Sequence, residues 1–550
     1  MSASMSLSPR DLRLRSLAVI ALVGALLVGC SNSSSTPNAS PDSTVSTVAP
    51  GGGPIDGGVL DIAVATAPVN WAPNAGPWTT ADLQAARAVY DRMMVRDLND
   101  QPVPELLSKA TPNAVFTEWT LTVRAGITFS DGAPLTAELV AFNLQAQLND
   151  PSNRELLLPI AAITVADAQS VVVSMFTPWS TFPEVLTTRI GTVAAPATLL
   201  GFDPRPLGTG PFIWFGVNDA GTTVLVKNPS YWKKGLPHLD GVRFVVIPEA
   251  ADRVNAVTTG VVGMVAVDEP RQLERLEAIP NGSEKFTIHD DRNAERPKVN
   301  VALETGRAPF DRISARRAVA FATDRAEILT KAFVGQGSIA RGIVSDTSPW
   351  FVDHSSSARD IEQAKKQVAE YTKETGLPLN FTLLVLPGTT LERVASLWRG
   401  QLEDVGIGVT IELVDSSTLT FAAALGQFQA ILEVGFDSSH PDVYEPLFRG
   451  IPAEQPVISS NPTRYINPLV TKAFSDARST VDITRQLDDY GTLQEQIAID
   501  VPYLFLVQVR EVVVTTPKVR DVATWSSGSG ATGLGQDNAT VSLSQLWIAR

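Results

Sequence analysis

The segment FQAILEVGFDSSHPDVY, from Phe428 to Tyr444, ends an apolar run in a carboxylate, Asp437, and follows it with a polar turn closed by Pro441. A carboxylate at the mouth of such a strand has two uses. It can accept hydrogen bonds from amides of its own turn, here those of Ser439 or His440. It can also hold a cation that a ligand brings, because an enclosed carboxylate is costly without a charged, hydrogen-bonding partner. The local pattern leaves both open. Other reactive groups are sparse. None of the four histidines, His238, His289, His354 and His440, stands at metal-ligand spacing from another, and only His440 lies close to Asp437. No metal site is expected. GSGATG (528–533) satisfies G-x-G-x-x-G but opens no helix pattern, and GQGSIARG (335–342) lacks the Lys-Ser/Thr of a phosphate loop. No cofactor is expected, and without a nucleophile–base motif the chain does not read as an enzyme.

The elements that must position Asp437 are legible around it. In LNFTLLVLPGTTLERVASLWRGQLEDVGIGVTIELVD (379–415), Leu391, Val394, Trp398, Leu402 and Val405 recur at helical spacing, Gly406 closes the helix, and a strand-like run lies on either side. Strand, helix and strand with short connections make a right-handed crossover between parallel strands, and the Asp437 segment is the next strand after it. Elsewhere GGVLDIAVATA reads as a strand, residues 81–94 as a helix, and FTEWTLTVRAG as a strand alternating about Trp119, Leu121 and Val123. A helix is expected after Thr136 as N-cap, and a hairpin where PFIWFGV and TTVLVKN flank NDAG. The fold class is α/β.

A chain of 550 residues exceeds what one core supports, yet no second linker divides the body, so the chain is expected to pass between lobes more than once. A formal net charge of −14 argues against nucleic acid as a partner. The amino terminus carries Arg10, Arg13 and Arg15 before the uncharged run SLAVIALVGALLV, the basic and apolar regions of an export signal. LLVGC then resembles the bacterial lipobox, with the small Gly29 before Cys30, the one cysteine in the chain. A single cysteine permits no intramolecular disulfide and no Cys-rich zinc site. Residues 31–54, rich in Ser, Thr, Pro and Gly, read as a flexible tether. The expectation is a signal peptide over residues 1–30, a diacylglycerol anchor on Cys30, and an acidic globule held outside the cytoplasmic membrane.

Five segments in order then resemble one family. Residues 110–142 (ATPNAVFTEWTLTVRAGITFSDGAPLTAELVAF) are similar to the signature of the extracellular solute-binding proteins of family 5, the peptide- and nickel-binding components of ABC importers. GTGPF (208–212), KNPSYW with LDGVRF (227–244), residues 308–328 and the segment 465–506 continue the likeness over about residues 57–520. The resemblance implies a bilobal periplasmic-binding-protein type II fold (cluster C) with an extra domain inserted in the first lobe. It implies a hinge-proximal domain of the first lobe over 55–90, 205–285 and 515–550, an insert over 91–204, and a second lobe over 286–514. Peptide-binding relatives place an aspartate four residues before a proline at the end of a second-lobe strand, to pair with the ligand's α-ammonium. Asp437 and Pro441 match that spacing. Where several relatives carry a tryptophan just before the aspartate, this chain has Val434, Gly435 and Phe436; Trp71 and Trp350 sit in segments that line the cleft in relatives. The common Gly-x-x-Asp is Gly260 to Gly263 here, without its acid.

The expected function is a monomeric receptor. It would hold an extended peptide by strand-like backbone bonds in a cleft that opens and closes, and hand it to permease subunits. The resemblance also admits another role, a transport-independent envelope lipoprotein acting in glycolipid assembly or regulation, or a receptor for a non-peptide ligand.

Overall fold

The computed structural model describes residues 53–76, 78–202, 205–280, 282–290, 295–354, 358–450, 458–537 and 539–550. Cys30, the export signal and nearly all of the tether lie outside the described residues. Three sheets organise the body. The largest has seven strands in the order Thr287–His289, Val512–Thr515, Met264–Val267, Val59–Val64, Gly241–Val246, Thr223–Lys227 and Phe212–Val217. Its central strand Val59–Val64 is parallel to both neighbours and buries Leu60, Ile62 and Val64 in one core while Ala63 enters another. A strand buried on both faces reads as an apolar run, as VLDIAV does apart from Asp61, which pairs with Arg243. Phe212–Val217 and Thr223–Lys227 form the expected hairpin, closed where the Asn218 amide donates to the Thr222 carbonyl.

The second sheet has six strands in the order Ser338–Ile339, Tyr503–Gln508, Lys298–Leu303, Ala430–Gly435, Asn380–Val385 and Gly408–Leu413. Asn380–Val385 runs parallel to Gly408–Leu413 and to Ala430–Gly435, and the helix Thr389–Glu403 connects the first two. That helix buries Val394, Trp398 and Leu402 completely, and Gly406 ends its final turn at φ +85°, a conformation glycine adopts without steric cost. Each fully buried Leu or Val of this face contributes about 1.5–3 kcal/mol by leaving water. A third sheet, of four antiparallel strands ordered Leu107–Pro112, Glu118–Val123, Ser170–Met175 and Ile160–Asp167, carries the helix Ala137–Asn149. Thr136 caps that helix, accepting from the Leu139 amide at 3.4 Å.

The chain passes from the first sheet to the second between His289 and Lys298, and returns between Gln508 and Val512. Arg510 ties the two passages together, its Nε donating to Asp290 at 2.9 Å. Two crossings between two separately cored sheets leave a cleft between lobes.

One helix differs from its expected bounds. It spans Thr80–Val89 rather than residues 81–94. Tyr90 turns extended because the loop of Gly208 and Gly210 lies directly on the helix end, where the Gly210 amide donates to the Val89 carbonyl at 2.8 Å. A Cβ on Gly208 would stand 2.1 Å from that carbonyl oxygen. The GTG motif therefore stops the helix from across the sheet and releases Asp91 to Arg96 as a separate segment.

Candidate functional site

The strand Ala430–Gly435 alternates between the two cores of its lobe. Ala430 and Leu432 enter one and Ile431 the other. The alternation breaks at its end, where Gly435 (φ +81°) and Phe436 (φ +57°) adopt left-handed backbone conformations in succession. Glycine supplies the first at no cost, whereas an aromatic residue there is strained by about 1–2 kcal/mol. Phe436 offsets that strain by packing against Tyr444, Tyr503 and Phe505, with ring centroids 4.9–5.1 Å away. The reversal drives Phe436 into the core and turns Asp437 out.

Asp437 then faces a cavity of about 850 Å³ between the lobes. Solvent reaches its carboxylate through the cleft, yet protein surrounds it on nearly every side. Among the described residues no cation lies within ion-pair distance of it. Enclosure, and then the charge of Asp537, push its pKa above the ordinary aspartate value; its own amide and Lys298 oppose this. Lys298 is fully buried and spends its ammonium on Glu295 and on the Phe436 carbonyl at 2.8 Å. Neither turn amide is taken by Asp437: that of His440 donates to Ser438 Oγ at 3.4 Å.

His440 is buried, and burial lowers its pKa to about 3, so it stays neutral. Its Nδ1 accepts from the Asp442 amide at 3.2 Å and caps the short helix Pro441–Tyr444. Among the described residues no group of three or more His, Cys, Asp or Glu side chains could hold a metal ion.

Of the six ligand-contact candidates, the cavity brings in Asp437 alone. Phe436 anchors the turn from inside the core and lies outside the cavity lining. Val434 is exposed and Gly435 half-buried at the strand end, both outside the cavity lining. Trp350 packs edge-on against His440 at 4.8 Å and Tyr490 at 5.4 Å, in the core, while its neighbours Thr347, Ser348 and Pro349 reach the cleft. Trp71 packs on the core of the first lobe, and Trp78 lines the cavity instead.

The opposite wall is basic. Arg87, Arg92 and Arg96 line it from the first lobe, together with Arg189 beside the Trp78 ring at 5.8 Å. Arg87 and Arg92 share Asp537 at 3.4 and 3.7 Å, long contacts for charged partners. Burial lowers the pKa of Arg87 to about 10 and also lowers that of Arg92, with Asp537 opposing in both cases. Arg96 is better matched, to Glu184 at 2.8 Å and Asp100 at 3.1 Å. The cleft thus sets an unpaired carboxylate on one lobe against loosely neutralised guanidinium groups on the other. Such a cavity can hold a dipolar solute with its ammonium at Asp437 and an acidic group toward Arg87 and Arg92.

The GSGATG segment forms a hairpin turn, with Gly528 packed on Trp232, where a Cβ would meet the ring at 2.5 Å. It serves local packing.

Comparison with known proteins gives a consistent picture. The family model for bacterial extracellular solute-binding proteins, family 5 (middle) matches residues 101–450. The glutathione-binding protein GsiB of Pectobacterium atrosepticum is 25% identical over 427 residues, 73% of this chain and 79% of that protein. Among solved structures, the oligopeptide-binding protein AppA of Bacillus subtilis, in complex with a nonapeptide, superposes with a TM-score of 0.74 at 20% identity, covering 90% of this chain and 100% of that one. The periplasmic binding protein DppA of Helicobacter pylori, in complex with the peptide STSA, gives 0.74 at 19% identity, covering 90% and 99%. The two lobes with a third sheet inserted in the first match these cluster C binding proteins in fold.

Proposed function

The chain belongs to the bacterial extracellular solute-binding proteins of family 5, and from that premise we propose that it captures short peptides with a free amino terminus for an ABC importer. That family binds solutes and does not transform them. The observation carrying the reading is the unpaired Asp437 carboxylate facing a cavity whose other wall holds Arg87, Arg92 and Arg96. A peptide satisfies both walls at once, its α-ammonium answering Asp437 and a carboxylate answering the arginines. A ligand that contacts both lobes shifts the open–closed equilibrium by its differential affinity for the closed form, which a permease can then recognise. The cavity volume falls within the roughly 300–1,000 Å³ typical of small-ligand sites, which favours short peptides. The peptide ligands of AppA and DppA and the glutathione of GsiB support the class.

A thermal-shift screen of mixed di- to tetrapeptides against their N-acetylated counterparts tests this. Free acidic peptides are expected to stabilise the protein, by about 2.7 kcal/mol at a hundred times their dissociation constant. Acetylated ones should give little shift, and equal stabilisation by both sets would sink the reading.

The delivery route is part of the same proposal. Among the described residues no helix is long and apolar enough to cross a membrane. The lipobox-like LLVGC supplies a diacylglycerol anchor at Cys30 and the residues after it a tether. Full-length protein expressed in a bacterial host should partition into detergent on Triton X-114 phase separation, and Cys30→Ser should move it to the aqueous phase. An unchanged partition would refute lipidation at Cys30.

A further inference from the structure

A second cavity, of about 440 Å³, opens within the second lobe and shares no residue with the interlobe cleft. At its wall stands Arg325, the first residue of the helix Arg325–Ala332. Its Nε donates to the Phe505 carbonyl at 2.7 Å, which fixes the guanidinium in place. Its two Nη groups make no hydrogen bond or ion pair among the described residues. Burial alone lowers the Arg325 pKa, to about 10, with no acid opposing it. Arg325 is half-buried, and its unpartnered Nη groups face the cavity, where an anion can join them.

Two more polar atoms at this cavity lack hydrogen-bond partners among the described residues. His354 Nε2 and Arg359 Nε are buried without a hydrogen bond. The neighbouring acids are engaged elsewhere. Asp324 caps its helix through the Glu327 amide at 2.9 Å, Asp353 holds Arg341 at 3.1 Å, and Asp404 holds Arg359 at 2.9 Å. Val352, Ile497, Val501 and Phe505 give the cavity an apolar wall, beside the polar Thr323, Arg341, Gln494 and Tyr503.

We propose that this cavity is a second binding site, which takes a small organic carboxylate with its acid group on Arg325 and its hydrocarbon body against the apolar wall. A guanidinium with two free Nη groups matches a carboxylate bidentately, and the volume suits a ligand the size of an aryl or short-chain acid. The site is independent of the peptide reading, because it uses none of the cleft residues.

Titration of the full chain with benzoate and with benzamide tests the proposal. Benzoate should bind saturably, and the neutral amide at least tenfold more weakly, the size expected for one charge-assisted hydrogen bond. Arg325→Gln should weaken benzoate by at least tenfold. Because Arg325 also holds the Phe505 carbonyl, Gly342→Leu provides a second variant: Gly342 lines the cavity, and an added Cβ meets nothing closer than Gln494 Oε1 at 3.9 Å. Filling the space should abolish benzoate binding, while Asp437→Asn should leave it intact. Benzoate that fails to saturate, or binds Gly342→Leu as it binds the wild type, overturns the proposal.

Discussion

Replacing Asp437 by asparagine is expected to weaken binding of a free short peptide by more than a hundredfold. Removing one partner of an enclosed, hydrogen-bonded charge pair costs about 3 kcal/mol, and each 1.4 kcal/mol is tenfold in affinity. The same change should raise the stability of the empty protein. Enclosure and Asp537 hold the Asp437 pKa above its ordinary value of 3.8. A carboxylate raised on folding favours the folded state while protonated, and that contribution is lost as pH rises through the raised value. At neutral pH the ionised group is therefore a burden that asparagine removes, so the variant should melt higher without ligand. Binding has the opposite dependence. The ammonium needs the ionised acid, so peptide affinity is full above the raised pKa and falls on acidification through it. The fall should begin at a higher pH than for an ordinary aspartate, and Asp437→Asn should abolish it. Isothermal titration across pH, paired with thermal melts of both proteins, checks both halves.

The largest loss of stability is expected at Asp442. Its carboxylate is fully buried and accepts three hydrogen bonds from two parts of the molecule. Arg478 Nε donates to it at 2.6 Å from the second lobe. Trp179 Nε1 and Thr181 Oγ1 each donate at 2.8 Å from beside the four-stranded sheet. The Arg478 guanidinium also lies 4.8 Å from the centre of the Trp179 ring, and the Ser180 amide donates to the Arg478 carbonyl at 2.7 Å. Burial opposes ionisation, but Arg478 and its hydrogen bonds outweigh it and hold the Asp442 pKa below the usual range. Its stabilisation is thus present above the ordinary value of 3.8 and lost as pH falls through the depressed one. Asp442→Ala should cost about 3–5 kcal/mol, because it leaves the buried Arg478 guanidinium with only the longer contact to Glu445 at 3.6 Å. Urea denaturation with an unchanged slope measures it; a loss below about 1 kcal/mol would mean that water replaces the carboxylate.

The sequence made some of this legible and hid the rest for definite reasons. The crossover over residues 379–415 could be read because its helix face repeats and its connections are short, so local patterning and tertiary packing agree. The Thr136 cap and the hairpin after Phe212 are local for the same reason. Phe436 was not legible. Alternation assumes extended backbone, and two consecutive left-handed residues reverse the side on which the ring emerges. The basic wall was hidden by distance. Arg87 and Arg92 looked like positions on one helix over 81–94, with Arg96 just beyond it, and what ends that helix is a loop at Gly208 and Gly210, more than a hundred residues later. Asp537, the partner of Arg87 and Arg92, lies further still along the chain. Trp78 gave one usable signal, its place just before the Thr79 cap of the helix that carries Arg87.

Calorimetric titration of one acidic tripeptide and its N-acetyl twin, into wild-type protein and into Asp437→Asn, weighs the role of the ammonium most directly. Acetylation should cost the wild type more than a hundredfold in affinity and cost the variant almost nothing. If acetylation weakens both proteins alike, or leaves the wild type unaffected, Asp437 does not hold the amino end and the peptide assignment falls with it.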